Sequence, residues 1–167
     1  MRIVKVALCI CICTLFFSAC SHKSPELLAP ANFYYCNRTV SYNTPDGVIS
    51  PEIRETSGFE NDIRKYMDTY LRGPVSDELY MIIPDNTILL SVQIQGNSVQ
   101  LDFSKELANL SGIELTNASV CLIKSLHEFA GVETVTLTAE DSLLDERESF
   151  TLSLEDIVTM DTVTVEE

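Results

Sequence analysis

Residues Thr87–Ser104, TILLSVQIQGNSVQLDFS, constrain the fold more than any other stretch of the chain. Leu90, Val92 and Ile94 alternate with Ser91, Gln93 and Gln95. After Gly96-Asn97, the residues Val99, Leu101 and Phe103 alternate with Ser98, Gln100 and Asp102. A period of two gives a strand one apolar and one polar face. Glycine at the first loop position accepts the positive φ of a type II′ turn. The stretch is therefore expected as a β-hairpin with one greasy side, which the flanking segments must cover.

Two segments have the helical period needed to do so. In the first, Ser57 and Glu60 are spaced as a capping box. Phe59, Ile63, Tyr66, Met67, Tyr70 and Leu71 then fall on one helical face, and Gly73-Pro74 stops the helix. The second runs from about Glu114 to Phe129, with Leu115, Ala118, Leu122, Leu126 and Phe129 as its stripe, Ile123 beside it, and Gly131 at its end. Strands are expected from Phe33 to about Tyr42 and over Val48–Glu55. The second of these belongs at a sheet edge because Pro51 cannot donate to a ladder. A further strand spans Val132–Ala139, with Val135 and Leu137 facing in and Thr134, Thr136 and Thr138 facing out. Ser149–Leu154 alternates again as a candidate last strand. Val75–Asn86 is read as a connection, and Ser104 as the start of a short turn through Leu107. The expected fold class is α/β (α+β): a two-layer sandwich of one mixed, mainly antiparallel sheet with two helices on one face.

The N-terminus carries an address rather than a fold. Arg2 and Lys5 precede an apolar run from Val6 to Phe17 of about a dozen residues, too short to span a bilayer core of roughly 30 Å. Phe17-Ser18-Ala19-Cys20 follows, small residues just before a cysteine. This pattern resembles a bacterial lipobox, with Phe17 where leucine is usual. It implies export, lipid transfer to the Cys20 sulfur and cleavage before it. The alternative is an ordinary signal peptide with an incidental cysteine. Two or more acyl chains, at about 0.8 kcal/mol per buried CH₂, would hold the chain stably on the outer face of the cell membrane. The organisation is then 1–19 lipoprotein signal peptide, 20–31 tether, 32–139 globular domain, and 140–167 acidic C-terminal extension, partly ordered. Cys9, Cys11 and Cys13 lie in the removed segment. Cys36 and Cys121 remain, either paired in an oxidising compartment or buried as small hydrophobes.

The charge excludes some partners. The formal net charge is −14, and removal of Arg2 and Lys5 leaves the remainder more acidic still. Such a surface repels phosphate, so nucleic acid is not an expected partner, and anionic lipid would not attract the domain without an anchor.

Four stretches in order carry a resemblance: Leu71-Arg72-Gly73-Pro74; Ile83-Pro84-Asp85-Asn86-Thr87-Ile88-Leu89; Leu101-Asp102-Phe103-Ser104; and Ser125-Leu126-His127-Glu128-Phe129-Ala130-Gly131-Val132. Together they resemble the GerM-type sporulation and spore-germination domain, over roughly residues 32–139. The resemblance implies an exported, non-enzymatic α/β domain of envelope lipoproteins and sporulation assemblies, similar to ring-building modules that associate through their surfaces. It implies no catalytic residue and no cofactor. This chain departs from the family at Glu140-Asp141-Ser142, where a glycine turn is usual.

The residues themselves offer little chemistry. His22 lies in the tether, and His127 lies near a helix end, where a cation favours the dipole. Cys121 and His127 are about 240° apart around a helix and cannot act as nucleophile and base. No metal-ligand or phosphate-loop spacing occurs. The candidate interaction face is the polar side of the sheet, where Gln93, Gln95, Gln100, Asp102, Thr136 and Thr138 should point together, as a partner surface or as a solvated face. Three functions follow in order. The first is a membrane-anchored interaction or assembly module of the envelope, binding further copies or other envelope proteins, in sporulation or germination. The second is a lipoprotein binding cell-wall fragments. The third is a carboxylate-based hydrolase.

Overall fold

A computed structural model describes residues 30–40, 47–56, 58–59 and 62–157. The export segment, Cys20, His22, most of the tether, the Ser57 and Glu60 positions of the expected capping box, and the tail from Val158 lie outside the described residues.

The hairpin forms as its alternation requires. Strands β4 (Leu89–Gln95) and β5 (Ser98–Phe103) pair antiparallel, with Val92 opposite Leu101 and Ile94 opposite Val99. Gly96 has φ +60°, and Asn97 stays out of the left-handed region, as a type II′ turn needs. One inward residue is corrected. The register slips between Leu89 and Ser91, so Leu89 faces in opposite Phe103, and Leu90 is the extra residue of a bulge, 39% exposed.

A 3₁₀ turn (Lys105–Asn109) leads into helix α2 (Gly112–Ala130), which returns the chain to β6 (Thr134–Ala139), parallel to β5. A parallel pair needs such a crossover, and α2 is long enough to supply it. Gly131 ends the helix at φ +68°, its N–H on His127 O at 2.8 Å. Strand β7 (Phe150–Ser153) adds antiparallel to β6, giving a mixed sheet in the order β4-β5-β6-β7. Val99, Leu101, Phe103, Val135 and Leu137 are buried on its inner side. Each such side chain contributes about 1.5–3 kcal/mol by leaving water. Ser104 does not cap the 3₁₀ turn with its side chain. It extends the hairpin instead: its N–H bonds Ile88 O at 2.8 Å and its Oγ accepts from Ile88 N at 3.0 Å.

Helix α1 (Ile63–Tyr70) starts later than the sequence suggests, with Asp62 as its cap accepting from Lys65 N at 3.2 Å. Ile63, Tyr66, Met67 and Tyr70 are its buried face. Arg64 reaches from it to the carbonyls of Leu89 and Leu90 at 2.8 and 3.0 Å, covering the free edge of β4.

The α+β class stands, but the strands divide between two sheets where a single one was expected. β1 (Pro30–Asn37), β2 (Ile49–Glu55) and the short β3 (Leu79–Tyr80) form their own antiparallel sheet, in the order β2-β1-β3. β1 begins before Phe33 and ends at Asn37, and β3 lies inside the segment read as a connection. The reason for the division lies on β1. Asn37 N bonds Val48 O at 2.9 Å. By alternation along the ladder, the polar groups of Asn32 and Tyr34 therefore point away from β2. There they meet side chains, not a strand. Tyr66 OH donates to Asn32 O, Tyr70 OH to Tyr34 O at 3.1 Å, and Tyr34 N to Ser125 Oγ at 2.8 Å. Two tyrosines of α1 and one serine of α2 satisfy the edge that β4 would otherwise have to pair. Pro51 faces Tyr34 in the same ladder, so its missing donor falls on the outer edge of β2.

Rings fill the space beside β1. Phe33 stacks on Tyr66 at 4.3 Å, Tyr66 on Phe129 at 4.4 Å, and Tyr35 on Tyr70 at 4.8 Å. Helix α2 thus packs against β1 as well as against β6 and β7, while α1 meets β1 through its rings and β4 at its edge through Arg64.

Candidate functional site

The polar side of the four-stranded sheet is ordered in rows by the strand register. Gln93 lies opposite Gln100, Gln100 beside Thr136, and Thr136 beside Thr151. A second row runs Gln95, Ser98, Thr134, Ser153, and a third Ser91, Asp102, Thr138. All six residues singled out from the sequence therefore share one face. Ser91, Ser98, Thr134, Thr151 and Ser153 belong to it as well. The same alternation points to them once the strand order is known.

Strand β4 places Gln93 and Gln95 in the open, while Gln100, Asp102, Thr136 and Thr138 on the two central strands are half-buried by their neighbours. Several hydroxyls are already engaged. Thr138 Oγ1 donates to Asp102 Oδ1 at 2.7 Å, Thr136 and Thr151 share a bond at 3.0 Å, and Thr134 and Ser153 one at 3.4 Å. The β-branched threonines keep β6 rigid at χ1, so the face is a fixed lattice of hydroxyls with amides along one side. Asp102 is the one charged side chain in its rows. The lattice can exchange hydrogen bonds with a second polar surface at small desolvation cost.

The remaining candidates do not converge. His127 Nδ1 lies 3.0 Å from Val132 O, at the turn between α2 and β6. Cys121 faces the other way, its sulfur 3.9 Å from that of Cys36, both thiols free and buried. The contact with Cys121 holds the Cys36 thiol below its ordinary value, and the same contact with burial pushes Cys121 well above it. Among the described residues no group of three His, Cys, Asp or Glu is placed to hold a metal ion, and no helix is long and apolar enough to cross a membrane.

One cluster escaped sequence reasoning. Glu128 accepts from Asn32 Nδ2 and from Tyr34 OH, and the Lys124 ammonium lies 4.9 Å from the centre of the Tyr34 ring. Burial, then the hydrogen bond to Glu128, then its charge push the Tyr34 hydroxyl up to about 12. The two hydrogen bonds to Glu128 join β1 to α2 across more than ninety residues of sequence, and no local signal foretells them.

The family profile of Germane, described as sporulation and spore germination, matches residues 32–145. No curated protein matches the sequence. Solved structures do. The first GerMN domain of the sporulation protein GerM from Bacillus subtilis is similar at 18% identity over 77% of this chain and 99% of that one, with a TM-score of 0.58. The tandem GerMN domains of the same protein give 19% identity over 69% of this chain and 40% of that one, with a TM-score of 0.52. A candidate lipoprotein from Clostridium perfringens gives 19% identity over 80% of this chain and 94% of that one, with a TM-score of 0.49. At these identities the likeness to GerM is one of fold.

Proposed function

Because the chain belongs to the Germane family of sporulation and spore germination, we propose that it is a lipid-anchored protein of the cell envelope that works by holding further copies of itself or other envelope proteins, not by catalysis. The observation that carries this reading is the open lattice of Ser, Thr, Gln and Asp102 on the four-stranded sheet. Its groups are neutral apart from Asp102, and three of its cross-strand pairs bond one another. That suits a surface that docks and does not react. The anchor is supported by the basic start, short apolar run and Ser18-Ala19-Cys20 of the N-terminus. It would place the acidic domain outside the membrane, where its own charge would not hold it.

The test has two parts. Cys20→Ala in the full chain should move the protein from the membrane fraction to the soluble one, and unchanged membrane retention would refute the anchor. For the face, light scattering on the purified protein across a concentration series should show association, which Gln100→Lys with Thr136→Lys abolishes. Both positions are half-buried at the polar surface, so the melting temperature of the double variant should stay close to that of the parent. A protein that stays monomeric throughout, and whose chemical cross-linking pattern in its membrane is the same with and without the two lysines, would overturn the docking role of this face.

A further inference from the structure

Beyond the docking face, the structure brings together two cysteines that the anchor does not use. We infer that Cys36 and Cys121 close into a disulfide that locks β1 onto α2 once the chain is outside the cell. Their sulfurs lie 3.9 Å apart across 85 residues of sequence, and both side chains are fully buried. An S–S bond measures about 2.05 Å, so the two sulfurs must approach by about 2 Å. They already face each other from adjacent elements. Apart from Cys20 and the three cysteines of the export segment, the sequence has no other thiol that could compete for either. The cross-link joins the three-stranded sheet to the helix that also supports the four-stranded one. Closing so long a loop removes much of the freedom of the unfolded chain.

The chemistry balances against an oxidised dithiol carrier of the kind that serves exported proteins. Cys36 leaves the export machinery before Cys121. Its thiolate attacks the carrier disulfide, forming a mixed disulfide and releasing one carrier thiol. Cys121 then attacks the Cys36 sulfur, and the second carrier sulfur leaves. The protein gives up two electrons and two protons, and the carrier departs as a dithiol. Folding then buries the bond.

This inference rests on the reading that the chain is exported, and the experiment separates the two. Full-length protein is purified from its membrane, its thiols are alkylated under denaturing conditions without reductant, and it is digested with trypsin. The expected product is peptide Ser24–Arg38 joined to Glu106–Lys124, and it should separate on reduction. The purified protein is also equilibrated in buffers of reduced and oxidised glutathione. The oxidised form should melt about 5–10 °C above the reduced one. A variant with Cys36→Ala and Cys121→Ala should melt at one temperature in every buffer. If the pair stays reduced in excess oxidised glutathione, including after refolding in it, the disulfide is refuted. If the pair oxidises there but arrives from the cell fully alkylated, the pairing holds and the export reading fails.

Discussion

Two residues of β2 fasten the turn after α1. Glu52 and Arg54 are two apart on an edge strand, so they share the face that carries Phe33 and Tyr35 on β1. Arg54 lies 5.1 Å from the centre of the Phe33 ring and 5.5 Å from that of Tyr35, donates to Gly73 O at 2.6 Å, and pairs with Glu52. Glu52 accepts in turn from Val75 N at 2.9 Å and Ser76 N at 2.8 Å. Both side chains are mostly shielded from water. Removing one leaves the other short of partners, so Arg54→Met should lower stability by about 2–4 kcal/mol. Arg54→Lys, which keeps the charge and loses the planar fork, should lower it by about 1–2 kcal/mol. Urea denaturation with unchanged slope would check both. The same site has a pH signature. Burial raises the Glu52 carboxyl, but the N–H groups of Ser76 and Val75 and the Arg54 guanidinium outweigh it and hold the group below its ordinary value of 4.5. The stability that follows is therefore present above that value and lost as the pH falls towards the folded one. Glu52→Gln should cost about 1–3 kcal/mol at pH 7, and the gap from the parent should narrow below pH 4.5. A gap independent of pH would mean that the carboxylate charge contributes nothing.

Among the elements, β1 departs furthest from what sequence alone conveys. The hairpin was legible because its pairing is local and its alternation unbroken from Val92 to Phe103. The span of α2 was legible from its stripe and from Gly131. The quoted family stretches were legible too, and they turn out to hold turns. Gly73 receives Arg54, Thr87 Oγ1 donates to Pro84 O at 2.7 Å behind Asn86 at φ +67°, and Ser104 extends the hairpin. Motifs of that kind identify the fold and are silent about a partner, which is why the polar face came only from alternation. The separate sheet was not legible. It depends on Tyr66, Tyr70 and Ser125 reaching Asn32 and Tyr34 from 34, 36 and 91 residues away. The two-residue β3 exists only as the partner of β1. Tyr70→Phe keeps the ring on Tyr35 and leaves Tyr34 O without its donor in a buried place, so it should cost about 1–3 kcal/mol in urea. Tyr66→Phe should cost a similar amount at Asn32 O. These hydroxyls also set an alkaline limit. Burial is the main cause that raises Tyr34, Tyr35, Tyr66 and Tyr70, Tyr34 to about 12. A raised folded value means stability that is complete below the ordinary value of 10.0 and declines as the pH climbs past it. Titration followed by tyrosinate absorbance should therefore show these phenols ionising together with unfolding. Independent ionisation of all of them near pH 10 would contradict their burial.

On the scale of the whole molecule, the question is whether two sheets make two folding units. They share α2. Cys121, Ser125 and Glu128 turn one side of it to β1, and Phe129 meets Tyr66 of α1. Leu122, Leu126 and Leu115 lie roughly 100–140° further round from Cys121 at about 100° per residue. They are fully buried, as are Leu101, Val135 and Leu137 of the four-stranded sheet. A helix buried on both sides cannot leave one sheet without exposing the other. The molecule should therefore unfold as one unit although its strands are divided. Leu122→Ala tests this, because it removes buried volume from the shared helix and should cost about 2–5 kcal/mol. Hydrogen exchange read by mass spectrometry should then show the slowest amides of β1 and of β6 losing protection by the same free energy. Ile53→Ala, at a position 71% exposed on β2, should leave both nearly unchanged, within about 0.5 kcal/mol. If Leu122→Ala loosens β6 and spares β1, the two sheets are separate units. The tyrosine and serine hydroxyls along β1 would then be a local seal, not the joint through which the fold is made one.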